Sequence, residues 1–198
     1  MEGVLFYWLF WMAWVVVTFI FRKNQLRTLL SFGLLLCIAL SNSYLSFSNI
    51  KVNAGFLILL LLSSVSLKCR SLTSTLYHVL AIMTISLSYV LLHIYILFDP
   101  AILLIIHPWM LIIPILFVVH FLVRGVRMRI VTSILGVCLG ECLLTLVFIS
   151  FDQSFGDFAS LDDIALISAS TYALSVFTKW LNKLRMLYER QFPRRISK

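Results

Sequence analysis

The composition of this chain is that of a membrane protein. Its 198 residues are 62% hydrophobic and 12% charged, and the mean hydropathy is +1.04. Soluble domains carry about 25% charged and about 45–50% apolar residues, so these values exclude a soluble enzyme. Each membrane-crossing helix needs about 20 apolar residues, so seven crossings use roughly 140 residues and leave only short loops and tails.

Apolar runs separated by charged residues predict seven transmembrane helices in a single bundle. The runs cover about residues 3–21, 28–45, 50–67, 72–97, 101–123, 130–150 and 161–181. Their length favours helices, since a barrel strand needs only about 9–11 residues. Ser160 and Asp163 have the spacing of a capping box at the start of the seventh helix. The predicted fold is an all-α, polytopic membrane bundle followed by a basic tail, residues 182–198.

The charges predict how this bundle is oriented. Lys and Arg accumulate in the cytoplasmic loops of membrane proteins. With seven spans, 15 of the 16 basic residues fall on one side, in alternate loops and in the tail, and Lys51 is the exception. Six of the eight acids fall on the other side. We therefore expect the N-terminus outside and the C-terminus in the cytosol.

Glu141 is the one charged residue that lies well inside a predicted span. A carboxylate near the bilayer centre is costly, so such residues face the bundle interior or a wet cavity. By helical rise, His93 and His107 lie in the outer half of the bilayer, somewhat closer to its outer boundary than Glu141, and Tyr172 lies near mid-depth. If their helices are neighbours, these four residues form an intramembrane polar site.

Three interpretations of this polar site are open. It is a proton relay, a metal site, or structural hydrogen bonding between helices. HExxH and other local metal motifs are absent from the sequence. We therefore predict neither a metal nor another cofactor.

Small residues recur at four-residue spacing on two predicted helices. Gly136 and Gly140 form a GxxxG pattern in the sixth helix, and Gly33, Cys37 and Ser41 form a stripe in the second. Small side chains let helix backbones approach closely. The stripes predict close contacts within the bundle, with homodimerisation as the alternative.

The C-terminal segment combines basic residues with apolar ones. The basic residues expected to meet lipid headgroups are Lys179, Lys183, Arg185, Arg190, Arg194 and Arg195. Such a segment is predicted to continue the seventh helix onto the anionic lipids of the cytosolic face. Because the loop charges already account for the net charge of +8, no nucleic-acid partner is predicted.

The opening MEGVLFYWLFWMAWVVVTFIFRKNQLRTLLSF, the chain length and the short basic tail together resemble the YphA-like multi-pass membrane proteins of Bacillus and its relatives. These proteins are uncharacterised. The resemblance implies residence in a bacterial cytoplasmic membrane and no assigned activity, and it transfers no site residues.

Two functional hypotheses of different classes follow. The first is a non-enzymatic accessory role, in which the protein packs with itself or with another membrane protein through its small-residue stripes. The alternative is a small proton- or cation-coupled transporter centred on Glu141, with His93 and His107. No paired catalytic acids, GxSxG or HExxH pattern favours an intramembrane enzyme.

Overall fold

The computed structural model describes residues 2–47, 50–67, 71–98, 112–147 and 154–191. Within these ranges the chain forms seven helices and three short strands. The helices are α1 (Val4–Phe19), α2 (Gln25–Leu40), α3 (Ala54–Ser66), α4 (Leu72–Phe98), α5 (Ile112–Leu122), α6 (Val126–Val147) and α7 (Phe158–Gln191). The strands are β1 (Tyr44–Phe47), β2 (Ile50–Asn53) and β3 (Ser154–Phe155). The fold is almost entirely helical, as predicted, apart from the three strands.

Three helices of the described ranges are long and apolar enough to cross a membrane. They are α4, α6 and the stretch Phe158–Leu187 of α7. The other four are apolar but shorter, and α1, at 16 residues, is about 24 Å long against a hydrocarbon core of about 30 Å. Part of the predicted fifth span, residues 101–111, lies outside the described ranges. Length and composition alone therefore identify three spans where the sequence predicted seven.

Contacts between the helix ends show that α1 runs antiparallel to α2 and that α4 runs antiparallel to α5. At one end the hydroxyls of Tyr7 and Ser41 are 2.7 Å apart, joining the start of α1 to the end of α2. We call this the sheet end, because it also holds β1, β2 and β3. At the other end the hydroxyl of Tyr77, near the start of α4, donates to the carbonyl of Leu122 at the end of α5. We call this the basic end, because the turn 20–24 and the turn 123–125 lie there with their Lys and Arg residues.

A small sheet replaces the facing ends of the predicted second and third helices. β1 pairs antiparallel with β2, and β2 pairs parallel with β3, with Lys51 opposite Ser154. Helix α2 therefore ends at Leu40 and α3 begins at Ala54. The prediction of continuous helices over 28–45 and 50–67 is wrong at these ends, because a short apolar run has the same hydropathy in a strand as in a helix.

Asn53 fixes the junction between β2 and α3. It is fully buried, and its side-chain oxygen accepts a hydrogen bond from the Gly55 amide at 2.8 Å. Its side-chain amide donates to the Ser41 carbonyl at 2.6 Å. One side chain thus caps the start of α3 and satisfies a carbonyl at the end of α2.

The GxxxG pattern of α6 packs against α4. A Cβ atom at Gly136 would lie 2.5 Å from Cγ2 of Ile85, and one at Gly140 would lie 2.8 Å from Cδ1 of Tyr89. The same atom at Gly140 would also lie 3.1 Å from the carbonyl oxygen of Ser86. Only a residue without a side chain lets the two helices approach this closely.

The stripe on α2 packs against α3. A Cβ atom at Gly33 would lie 2.9 Å from Cδ2 of Leu62. Further along, a Cβ atom at Gly55 would lie 3.0 Å from the Cys37 carbonyl oxygen and from the Ser41 Cα. Both small-residue stripes therefore contact helices of the same chain.

Helix α7 begins earlier than predicted, and it continues beyond residue 181 as expected for the basic segment. Because it starts at Phe158, Ser160 and Asp163 do not form the predicted capping box, and the Ser160 hydroxyl donates to the Asp157 carbonyl instead. Asp162 accepts hydrogen bonds from the amides of Gly3 and Phe6 at 2.7 and 2.6 Å, and so caps α1. At its other end α7 continues to Gln191, so the first part of the predicted tail is helical.

Candidate functional site

Four side chains from three helices meet near the sheet end. Tyr89 and His93 come from α4, Glu141 from α6 and Asp163 from α7, and we call them the polar cluster. The hydroxyl of Tyr89 lies 3.2 Å from Oε2 of Glu141 and 3.2 Å from Oδ2 of Asp163. Nε2 of His93 lies 3.5 Å from the same Asp163 oxygen.

Helix geometry explains why these residues meet. Tyr89 and His93 are four residues apart, so they share one face of α4, and their ring centroids are 4.1 Å apart. Gly140, the residue before Glu141, leaves the space that the Tyr89 ring occupies. The close contact between α4 and α6 therefore brings the hydroxyl to the carboxylate.

The hydrogen-bond chemistry of the cluster requires shared protons. The Tyr89 hydroxyl has one hydrogen, so it cannot donate fully to both carboxylates at once, whereas a protonated carboxyl completes the second contact by donating to the tyrosine oxygen. Nδ1 of His93 lies 3.1 Å from the Tyr89 carbonyl oxygen, which only accepts, so Nδ1 carries a hydrogen. Without a further proton, the lone pair of His93 Nε2 faces a lone pair of the Asp163 carboxylate. A proton on either of these two groups removes this repulsion.

The cluster has an unbalanced charge when its acids are ionised. Two carboxylates and one imidazolium sum to one net negative charge, and no Lys or Arg of the described ranges contacts these four side chains. A buried charge without a partner is costly in a medium of low dielectric constant. One additional proton or one monovalent cation restores neutrality.

Access to the cluster is one-sided. The side chains of His93 and Asp163 are 38% and 30% exposed, whereas Tyr89 is 1% exposed. Further toward the basic end, the contact of Gly136 with Ile85 closes the space between α4 and α6. The cluster is therefore reached from the side of His93 and Asp163.

The structure brings together two of the four residues predicted for this site. Glu141 and His93 both belong to the cluster, joined through Tyr89 and Asp163. Tyr172 does not belong to it, because it lies nine residues beyond Asp163, about 13 Å along α7, and its surface is 43% exposed. His107 lies outside the described residues.

Sequence reasoning missed Tyr89 and Asp163. The spacing of Tyr89 four residues before His93 was the available signal for the tyrosine. In residues 2–47, 50–67, 71–98, 112–147 and 154–191, no three His, Cys, Asp or Glu side chains are arranged to hold a metal ion.

A second group of polar residues lies at the basic end. Arg129 of α6 donates from Nε to the Val123 carbonyl at 2.6 Å, and its Nη1 lies 3.1 Å from Nε2 of His120 and 3.4 Å from the Ser175 hydroxyl. Its Nη2 donates to the His120 carbonyl at 3.3 Å. Arg129 thus ties α5, α6 and α7 together at this end.

The predicted headgroup residues continue beyond this point along α7. Lys179, Lys183 and Arg185 are exposed. The side chain of Arg190, and all of Arg194 and Arg195, lie outside the described part of the structure. These three residues lie on the part of α7 that leaves the bundle, and they give this part of the helix a positive charge.

A bundle of apolar helices with a polar cluster inside and its basic residues gathered at one end defines an integral membrane protein. The chain matches the family of YphA-like integral membrane proteins over residues 2–196, and it belongs to that family. It is 29% identical over 149 residues to the uncharacterised protein YphA of Bacillus subtilis (strain 168), covering 74% of this chain and 73% of that protein. No solved structure matches. The resemblance seen in the opening segment is confirmed.

Proposed function

We propose that the protein is a small proton- or cation-coupled membrane transporter in which the polar cluster is the coupling site. The observation that carries this proposal is the pair of carboxyl groups, because Glu141 and Asp163 share one tyrosine hydroxyl and, among the described residues, have only His93 as a cationic partner. A proton that leaves the cluster must be replaced by another cation, or the helices must rearrange to hydrate the charge. Such an exchange links protonation to binding or movement.

Transport also needs a second arrangement of the helices. In the structure His93 and Asp163 are partly exposed, and the packing of Gly136 on Ile85 lies between the cluster and the basic end. We infer that α4 and α6 part at this contact when the cluster opens toward the basic end. The two helices are the moving pair in this proposal.

The accessory role stays a prediction. It rested on the small-residue stripes and on the absence of a soluble domain or catalytic motif, and the stripes on α2 and α6 contact α3 and α4 of the same chain. We place the transport role first because the polar cluster offers a site for it. It needs no covalent chemistry, in agreement with the absence of a catalytic motif in the sequence.

We further propose that all seven helices cross a bacterial cytoplasmic membrane, with the sheet end outside and the basic end in the cytosol. The clustering of Lys and Arg at the basic end supports this orientation. The four shorter helices can span the hydrocarbon core if the bilayer thins around them or if flanking residues extend to the membrane interface.

Ion flux through reconstituted protein tests the coupling site. Wild-type protein in phosphatidylethanolamine–phosphatidylglycerol liposomes, with a pH-sensitive dye trapped inside, should change the internal pH when a Na⁺ or K⁺ gradient is imposed. Glu141→Gln keeps the shape of the side chain but removes its ionisation, and should lower the rate to that of protein-free liposomes.

Tyr172→Phe is the matched control, because it removes a hydroxyl from α7 outside the cluster and should leave the rate unchanged. Thermal unfolding of each variant in detergent separates loss of flux from loss of fold. A wild-type rate equal to that of empty liposomes, or a Glu141→Gln rate equal to that of wild type, would refute the proposal.

A further inference from the structure

The geometry of the polar cluster suits a proton better than a metal cation. Glu141, His93 and Asp163 all lie in the described part of the chain, and they are not arranged so that one metal ion could bind all three. The Tyr89 hydroxyl is within hydrogen-bond distance of both carboxylates. Packing holds it there, because Tyr89 is 1% exposed and a Cβ atom at Gly140 would lie 2.8 Å from Cδ1 of its ring.

The other titratable groups near the cluster do not supply the missing positive charge. Among the described residues, Asp157 and the thiols of Cys138 and Cys142 lie close enough to interact electrostatically with Glu141. None of these groups is a cation, and Asp157 adds to the negative charge. The neighbouring acid Asp162 is directed to the amides of α1. A proton within the cluster is therefore the charge that balances it.

Tyr89 is placed to pass this proton between the two carboxylates. A phenol oxygen accepts one hydrogen bond while its hydrogen is donated to another group. When a protonated Glu141 gives its hydrogen to the Tyr89 oxygen, Tyr89 gives its own hydrogen to Oδ2 of Asp163. One O–H bond forms and one breaks at the tyrosine, which ends unchanged, and the negative charge moves from Asp163 to Glu141.

We propose that the coupling ion of the polar cluster is a proton, and that Tyr89 passes it between Glu141 and Asp163. This inference rests on the proposed function, because it names the ion that the coupling site holds. Asp163 and His93, which are partly exposed, form the end of the relay that exchanges protons with the surroundings. In this proposal Na⁺ or K⁺ reaches the carboxylates only after the helices rearrange.

Infrared spectroscopy of the full-length protein in detergent tests for the shared proton without a transport measurement. A protonated carboxyl group gives a C=O band that an ionised carboxylate lacks. At neutral pH wild type should show one such band, which Glu141→Gln removes and saturating NaCl or KCl leaves unchanged. A wild type without the band, a band that persists in Glu141→Gln, or a band lost on addition of Na⁺ or K⁺ would overturn the proposal.

Deuterium exchange at the same carboxyl group tests the relay. After transfer into D₂O, Tyr89→Phe should exchange this hydrogen roughly a hundredfold more slowly than wild type, because the positioned hydroxyl that transfers the proton is gone. If Tyr89 only held the helices together, its replacement would loosen the cluster and speed the exchange. Equal or faster exchange in Tyr89→Phe would therefore overturn the relay. Tyr95→Phe, at an exposed position of the same helix, is the matched control and should exchange as wild type does.

The infrared band and the liposome flux separate the two proposals. A wild-type protein that shows the band but no flux would refute transport and leave the shared proton in place. Flux without the band would refute the proton as the coupling ion and leave transport in place.

Discussion

Asn53 is a single residue on which two helix ends depend. It satisfies the Ser41 carbonyl and the Gly55 amide in a fully buried position. Asn53→Ala should lower the free energy of unfolding by about 2–4 kcal/mol, through the lost cap and the unpaired carbonyl. Titration with SDS in mixed micelles, followed by helical circular dichroism, measures this. Asn42→Ala, at an exposed position nearby, is the control, and equal effects of the two substitutions would contradict the prediction.

Single residues also show how far the site was predictable. Glu141 stood out because charge is scarce inside the spans, and His93 followed from its depth. Asp163 was assigned to a helix cap, since a start of α7 near residue 161 places it in the first turn. The helix starts at Phe158 instead, and a rotation of 100° per residue then directs Asp162 to α1 and Asp163 to the polar cluster. An error of three residues in a helix boundary thus changed the role assigned to Asp163.

At the scale of elements, the contact between α4 and α6 sets the geometry of the polar cluster. Gly136→Ala places a methyl group 2.5 Å from Cγ2 of Ile85, so it should destabilise the protein by about 1–3 kcal/mol. Ile85→Ala removes the nearer opposing atom, Cγ2, and keeps Cβ at 2.7 Å, so the clash is partly relieved and the double variant should be more stable than the sum of the two single effects predicts. Unfolding in SDS measures all three variants. Strictly additive effects would show that this contact does not limit the helix spacing.

The same contact distinguishes the two interpretations of the GxxxG pattern. The pattern predicted close approach but did not specify which helix approaches, because any second helix meets the requirement. If Gly136 served a homodimer, Gly136→Ala would change the molecular mass measured in detergent and leave the stability of the monomer unchanged. We expect the opposite result.

The elements that could not be predicted are the strands. Residues 44–47 and 50–53 lie at the edges of the apolar runs that predicted the second and third helices, and hydropathy does not record backbone conformation. The strands differ from the neighbouring helices in specific hydrogen bonds, such as the capping of α3 by Asn53. Such contacts depend on the tertiary neighbours. The sequence therefore located the end of α2 and the start of α3 only to within several residues.

For the whole molecule, the distribution of charge was the most informative signal. It predicted seven oriented spans, which stays a prediction, and the contacts at the two ends agree with it for two antiparallel pairs, α1 with α2 and α4 with α5. Helix length was less informative. The short helix α3 covers about 20 Å, although β2 leads directly into it and adds about 13 Å of chain. Whether α3 crosses the bilayer therefore decides whether the topology has seven spans.

Two positions on either side of α3 test this topology directly. Ser46 lies in β1 at the sheet end and Ser71 lies at the start of α4, and both are exposed. In a Cys69→Ser background, Ser46→Cys should react with a membrane-impermeant maleimide in intact cells, and Ser71→Cys should react only after the cells are permeabilised. Reaction of both from the same side would show that α3 does not cross, and the reverse pattern would show that the orientation is inverted. Because the basic residues favour the cytosol at the same end as Ser71, we expect only Ser46→Cys to be labelled from outside.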